Sequence, residues 1–210
     1  MFLLVCLIAV TAFCVENKTQ ETFGEYVKRD REAEQEFREK KDTDKAVAAK
    51  RPVRWAQPVD LEGVPNLHRV STNLYRSAQP SAEGMKKLKE MGIETIVNLR
   101  SYHSDRDEIG DTGLGYEHIY MKAWGPEHKE AVRFMQIVTA TNRLPVLVHC
   151  KHGSDRTGAM CAVYRIVVEG WAKGDAIKEM TDGDFGFHEI FQNLPKWIEA
   201  LDVEELRTGL

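Results

Sequence analysis

One run of residues carries most of the chemistry this chain offers: His149-Cys150-Lys151-His152-Gly153-Ser154-Asp155-Arg156-Thr157-Gly158. The apolar stretch 145–148 before it reads as a short buried strand ending at the cysteine. The stretch 156–170 after it has Ala159, Ala162, Val163, Ile166 and Val167 at helical spacing. A strand, a tight polar loop and a helix start together aim successive backbone N–H groups at one point, and such a point binds an anion. Cys150 lies at the foot of that point. The same N–H groups and the positive end of the helix favour a thiolate, the form of cysteine that attacks phosphorus. Arg156 offers a planar fork that holds two phosphate oxygens and stays with them in the transition state. Gly153 and Gly158 allow a tight turn and close packing of loop on helix. Lys151, His152, Gly153, Ser154, Asp155 and Arg156 are the expected phosphate-binding residues. Thr157 is placed to donate its hydroxyl to the Cys150 sulfur. His149 is read as orienting the loop through hydrogen bonds rather than acting as a base.

The plainer account, a core cysteine at a strand end, leaves the spacing of Arg156, Thr157 and Gly158 to coincidence. Cys161, eleven residues further on, fits that account better: it falls on the apolar side of the following helix. The chain has four cysteines and no CxxC pair, which argues against a zinc site. No metal or cofactor is implied, because Arg156 and backbone donors supply the charge stabilisation a cation supplies elsewhere. A formal net charge of -4 argues against nucleic acid as a partner. The expected partner is a phosphorylated substrate, and the chain is expected to act as a monomer.

The loop resembles the signature of the protein tyrosine phosphatase superfamily: His-Cys, five residues, Arg, Ser or Thr, then Gly. His149, Cys150, Arg156, Thr157 and Gly158 match it position by position. The motif lies late in the domain, as in the dual-specificity branch. The segments LYRSAQPS at 74–81 and GIETIVNLR at 92–100 look like the compact bacterial, fungal and plant members of that branch. The resemblance spans roughly residues 64–201. It implies a phosphocysteine intermediate and substrates that are phosphoproteins (Tyr, Ser or Thr) or inositol phosphates and phosphoinositides. Arg76 and Arg100, at the ends of the matched segments, are expected to line the pocket mouth. Lys151 and His152 add positive charge at its rim, which favours polyanions.

The proton donor is open. Members of the superfamily usually supply it from a Trp-Pro-Asp loop, and the corresponding stretch here, Ala123-Trp124-Gly125-Pro126-Glu127, has no Asp. Glu127 is one candidate, although an acid there also suits the first turn of the next helix. Asp155 is the other. Myotubularin lipid phosphatases carry an Asp at the same loop position, and a carboxyl beside a thiolate and a phosphate keeps its proton more readily. The missing Asp also raises an alternative, a phosphate-binding module with little or no turnover. A rhodanese-like sulfur carrier is disfavoured by the Arg-Thr-Gly ending.

Positioning these residues requires an α/β fold. Strand signals at 67–70, 74–75, 93–99, 116–121 and 145–149 alternate with helical ones at 81–91, 127–142, 156–170, 173–180 and 195–206. This predicts a mostly parallel central sheet of four to five strands flanked by helices. The domain is expected over 59–210, after a charged, partly helical linker at 16–58. Residues 2–15 are apolar but short for a membrane span, and suit a signal peptide or an anchor. Export to a periplasmic, secreted or membrane-anchored location is expected, or a cytoplasmic one if the start codon is misassigned.

Overall fold

The computed structural model describes residues 51–209. The apolar leader, and the linker up to residue 50, lie outside the described residues. Six strands form one sheet: β1 (Gln57–Pro58), β2 (His68–Arg69), β3 (Leu74–Ser77), β4 (Thr95–Asn98), β5 (Gly115–His118) and β6 (Val146–His149). Their spatial order is β1-β2-β3-β6-β4-β5. The pairs β3–β6, β6–β4 and β4–β5 are parallel, and β1 and β2 add an antiparallel edge.

The count exceeds the four to five strands expected, because two-residue strands such as β1 are too short to show alternation. The folded domain also starts earlier than residue 59: Ala56 is buried and Gln57 pairs with Arg69.

Period-two alternation puts the central strands to use on both faces. Leu74, Val97, Val146 and Val148 join one core, while Ile96 and Leu147 join the other. The second core is closed by α1 (Ala82–Glu90) and α2 (Arg106–Ile109), through Met85, Leu88 and Ile109. Ser81 caps α1 by accepting from the Gly84 N–H at 3.1 Å.

The first core is closed by α3 (His128–Thr139), α4 (Asp155–Val167), α5 (Lys173–Asp182), α6 (Asn193–Ala200) and α7 (Val203–Thr208). The sequence read 195–206 as one helix. It is two, because Asp202 starts α7 by accepting from the N–H groups of Glu204 and Glu205, both at 3.0 Å.

The helix α4 departs from the single apolar face expected of it: every residue except Arg156 is buried. Small residues allow this packing. A Cβ on Gly158 would lie 2.8 Å from Met180 Cγ of α5. The helix that follows the loop is therefore held on all sides, which fixes where its N-terminus points. Among the described residues no helix is long and apolar enough to cross a membrane.

Candidate active site

The loop of residues 150–155 joins β6 to α4 at the carboxyl end of the parallel strands. Its carbonyls are tied outward. Arg76 Nη2 donates to Gly153 O at 2.7 Å and to Ser154 O at 3.4 Å. Asn66 Nδ2 donates to His152 O at 3.0 Å, and Gln79 N to Lys151 O at 3.3 Å. Once the carbonyls face these donors, the loop N–H groups face the other way, into the cup.

Gly153 is the residue that allows the turn. Its φ is +74°, and a Cβ there would lie 2.6 Å from Ala78 N and Ser77 C, a clash with backbone. Ser154 Oγ donates to Phe185 O at 2.8 Å, and Asn66 Nδ2 reaches the same carbonyl at 3.0 Å, which ties the loop to the segment after α5.

Arg76 was expected at the pocket mouth. It is instead among the most buried side chains, 1% exposed, with its guanidinium 3.5 Å over the Phe185 ring. Burial pulls its pKa below the ordinary arginine value, while Cys161, Glu179 and Cys150 pull the other way. A cation behind the loop favours an anion in front of it. Arg100 sits beside Gln79, to which its Nη1 donates at 2.9 Å.

Cys150 is 2% exposed and follows a strand whose four residues are all buried, so it lies at the base of the loop. Arg156 is half-buried, and its Nη1 reaches toward Leu99 O at 3.4 Å and Met121 O at 3.5 Å. These carbonyls lie just beyond β4 and β5, so two neighbouring strand ends hold the guanidinium beside the loop. Lys151 and His152, in the same loop, are both exposed.

The donation from Thr157 to the sulfur is not made: Thr157 Oγ1 is buried and has no hydrogen-bond partner among the described residues. Glu127 also differs from expectation. It caps α3, its N–H donates to Glu130 Oε2 at 2.9 Å, and its exposed carboxylate pairs with Lys129 at 2.6 Å. The Lys129 hydrogen bond and charge hold its pKa below the ordinary carboxylate range, which suits an ion-paired cap better than a proton donor. His128 likewise faces Glu205 of α7, at 3.5 Å.

Asp155 is buried and hydrogen-bonded. Its Oδ1 accepts from the His188 backbone N–H at 2.9 Å, and its Oδ2 lies 2.9 Å from His188 Nδ1.

Beneath the cysteine, His149 is fully buried. Its Nε2 lies 2.6 Å from Asp105 Oδ2, and its Nδ1 lies 3.2 Å from Cys150 O. Both ring nitrogens thus face acceptors. Burial raises the Asp105 pKa, but the bond and charge of His149, with a Gln79 amide at 2.9 Å, outweigh it and hold the carboxyl below its ordinary value. The reading of His149 as an orienting residue fits this arrangement. Its partner Asp105 was not seen in the sequence.

The two described cysteines should separate chemically. Burial pushes the Cys161 pKa to about 11, so this thiol stays protonated at neutral pH and beyond. Brief iodoacetamide treatment of the folded protein at pH 7.5, followed by peptide mass spectrometry, is expected to label Cys150 and leave Cys161 unmodified until denaturant is added. Labelling of Cys161 at a comparable rate in the folded state would contradict its raised pKa.

Residues 56–193 match the family described as DSP-PTPase phosphatase fused to NAD+ kinase. The dual specificity protein phosphatase TpbA of Pseudomonas aeruginosa is 36% identical over 164 residues, covering 78% of this chain and 74% of TpbA. The crystal structure of TpbA in complex with pTyr superposes with a TM-score of 0.67 at 35% identity, covering 76% of this chain and 98% of that one. The catalytic core of the PP-IP phosphatase SIW14 from S. cerevisiae shares the fold, with a TM-score of 0.62 at 20% identity, covering 71% and 93%. The chain belongs to the dual-specificity branch of the protein tyrosine phosphatase family.

Proposed function

We propose that this protein hydrolyses phosphotyrosine and related phosphomonoesters through a phosphocysteine intermediate. The observation that carries the reading is the anion cup. Its carbonyls are tied back by Arg76, Asn66 and Gln79, Cys150 is at its floor and Arg156 at its side. A dianion seated in it lies in line with the sulfur, and Arg156 with the loop N–H groups stabilises the charge that develops on the phosphoryl oxygens.

Phosphotyrosine is favoured by likeness to TpbA and its pTyr complex. It is also favoured by Tyr120 and Trp124, which are 66% and 68% exposed on the segment that follows β5. Exposed rings of this kind suit an aromatic leaving group better than a purely polar one.

A second reading takes inositol phosphates. Lys151 and His152 at the rim support it, as does a 24% identity over 125 residues to the inositol diphosphatase DSP5 of Arabidopsis thaliana.

Of the two carboxylates considered as acids, Asp155 stands in the loop itself, so protonation is assigned to its side of the pocket. Export through the apolar leader remains part of the proposal. Detection of the mature protein outside the cytoplasm would support it.

Turnover tests the reading. The purified chain is expected to release phosphate from p-nitrophenyl phosphate and from a phosphotyrosine peptide, and to be blocked by orthovanadate. Phosphate binding without release from any aryl, peptide or inositol substrate would leave only the non-catalytic module.

A further inference from the structure

We propose that His188 delivers the proton to the leaving oxygen, with Asp155 as the positioning residue that holds its ring. The proposal rests on the phosphatase reading and deepens it by naming the proton donor.

Asp155 and His188 come from different elements, the start of α4 and the segment between α5 and α6, and meet at three contacts. The His188 backbone N–H donates to Oδ1 at 2.9 Å, and Nδ1 lies 3.2 Å from Oδ1 and 2.9 Å from Oδ2. A carboxylate that accepts on both oxygens is an orienting group, not a donor. It also settles the ring: Nδ1 carries the hydrogen that faces the carboxylate, and Nε2 is the nitrogen turned away from it.

The two side chains differ in access, 46% exposed for His188 and 8% for Asp155. The buried member anchors and the open one can meet a substrate. Asp155 immediately precedes Arg156, so the pair is fixed to the loop that holds the phosphate.

The other charged or titratable groups around the ring are few. His152, from the loop, has its ring 5.3 Å away. Burial, then the neighbouring His188 and Lys151, lower the His152 pKa. Glu189 is the chain neighbour of His188, and Phe191 meets the ring edge-on at 6.4 Å. His152 makes no hydrogen bond to a carboxylate among the described residues, so of these two rings it is His188 that a carboxylate orients. The usual loop contributes no Asp, and Glu127 is committed to its cap and to Lys129.

The step balances. The Cys150 thiolate forms the S–P bond, and the P–O bond breaks with its electron pair on the leaving oxygen. That oxygen takes the proton from Nε2 of the imidazolium. His188 is then neutral, with Nδ1–H still facing Asp155. In the second step Nε2 accepts a proton from water as the water oxygen forms the new P–O bond, and the S–P bond breaks with its electron pair on the sulfur, which restores the thiolate.

Leaving-group dependence tests this. His188→Gln is expected to lower kcat on phenyl phosphate about 100-fold and on p-nitrophenyl phosphate less than about 10-fold, since the better leaving group needs little protonation. It should also flatten the basic limb of the pH–rate profile. Asp155→Asn should lower kcat on phenyl phosphate more than on p-nitrophenyl phosphate, because the carboxylate no longer holds the ring by both oxygens. Equal losses on both substrates, with the basic limb unmoved, would overturn the proposal in favour of a structural role.

The wild-type enzyme gives a second measurement that needs no variant. The basic limb on phenyl phosphate should shift markedly with temperature, as imidazole ionisation does. A temperature-independent limb would assign the proton to a carboxylate and sink the idea. Failure of the phosphatase reading looks different: no hydrolysis of either substrate by the wild type.

Discussion

Cys150→Ser is expected to lower kcat on an aryl phosphate by on the order of 10⁴-fold or more while leaving the phosphate site intact. A serine hydroxyl in the same cup is a far poorer nucleophile than a thiolate, and none of the described side chains is seen to act as a base on it. Binding should survive because the cup does not depend on the sulfur. Its shape is set by Arg76 on Gly153 O and Ser154 O, Asn66 on His152 O, and Ser154 on Phe185 O. Serine keeps nearly the size and shape of the cysteine, so affinity for phosphotyrosine or inorganic phosphate should hold. Steady-state kinetics and titration calorimetry on the same preparation test both halves. A variant that kept a tenth of the wild-type kcat would remove Cys150 from the mechanism. One that lost both turnover and binding, while remaining folded, would mean the cup is not built as described.

The loop was legible because its chemistry is contiguous: a nucleophile, a turn glycine, an arginine and a helix start follow one another along the chain. Its supports come from far away and were not legible in the same sense. Arg76 meets Gly153 across 77 positions, Asn66 meets His152 across 86, and Asp105 meets His149 across 44.

For Arg76 a signal did exist. In strand β3 it shares a face with Leu74, which is fully buried, so alternation alone argued for an inward arginine needing partners. Its charge suggests the mouth, but its register sets it inside. Asp105 gave no such signal, since it stands among polar residues in a short turn before α2. The choice between Glu127 and Asp155 stays open in the sequence for a related reason. Sequence shows that Glu127 occupies the expected stretch, but its commitment to a cap and to Lys129 is a matter of geometry. Likewise the all-round burial of α4 follows from what surrounds it, which helical spacing cannot report.

That burial leads to the largest expected loss of stability. Arg165, in the last turn of α4, is 2% exposed and Glu179 of α5 is 3% exposed. Their contact is bidentate, Nε to Oε2 at 2.8 Å and Nη2 to Oε1 at 2.7 Å. Arg165 Nη1 also donates to Val70 O at 3.0 Å and Glu169 Oε2 at 2.7 Å, and Glu179 Oε1 accepts from Ala56 N at 2.5 Å. Burial opposes the charge on Arg165, but the bonds and charges of Glu179 and then Glu169 outweigh it, so its pKa rises above the ordinary value. Glu179→Ala therefore strands a buried cation and is expected to cost about 3–5 kcal/mol, read from urea unfolding monitored by tryptophan fluorescence. The pair need not be favourable as a whole, since desolvation offsets much of the attraction. Arg165→Met combined with Glu179→Leu should accordingly recover a large part of the loss, short of wild type because Val70 O and Ala56 N each lose a partner. A single variant costing less than about 1 kcal/mol would mean that water reaches the pair and that α4 is not packed on every side. The same helix carries Arg156 at its start, so the result bears on how firmly the catalytic loop is held.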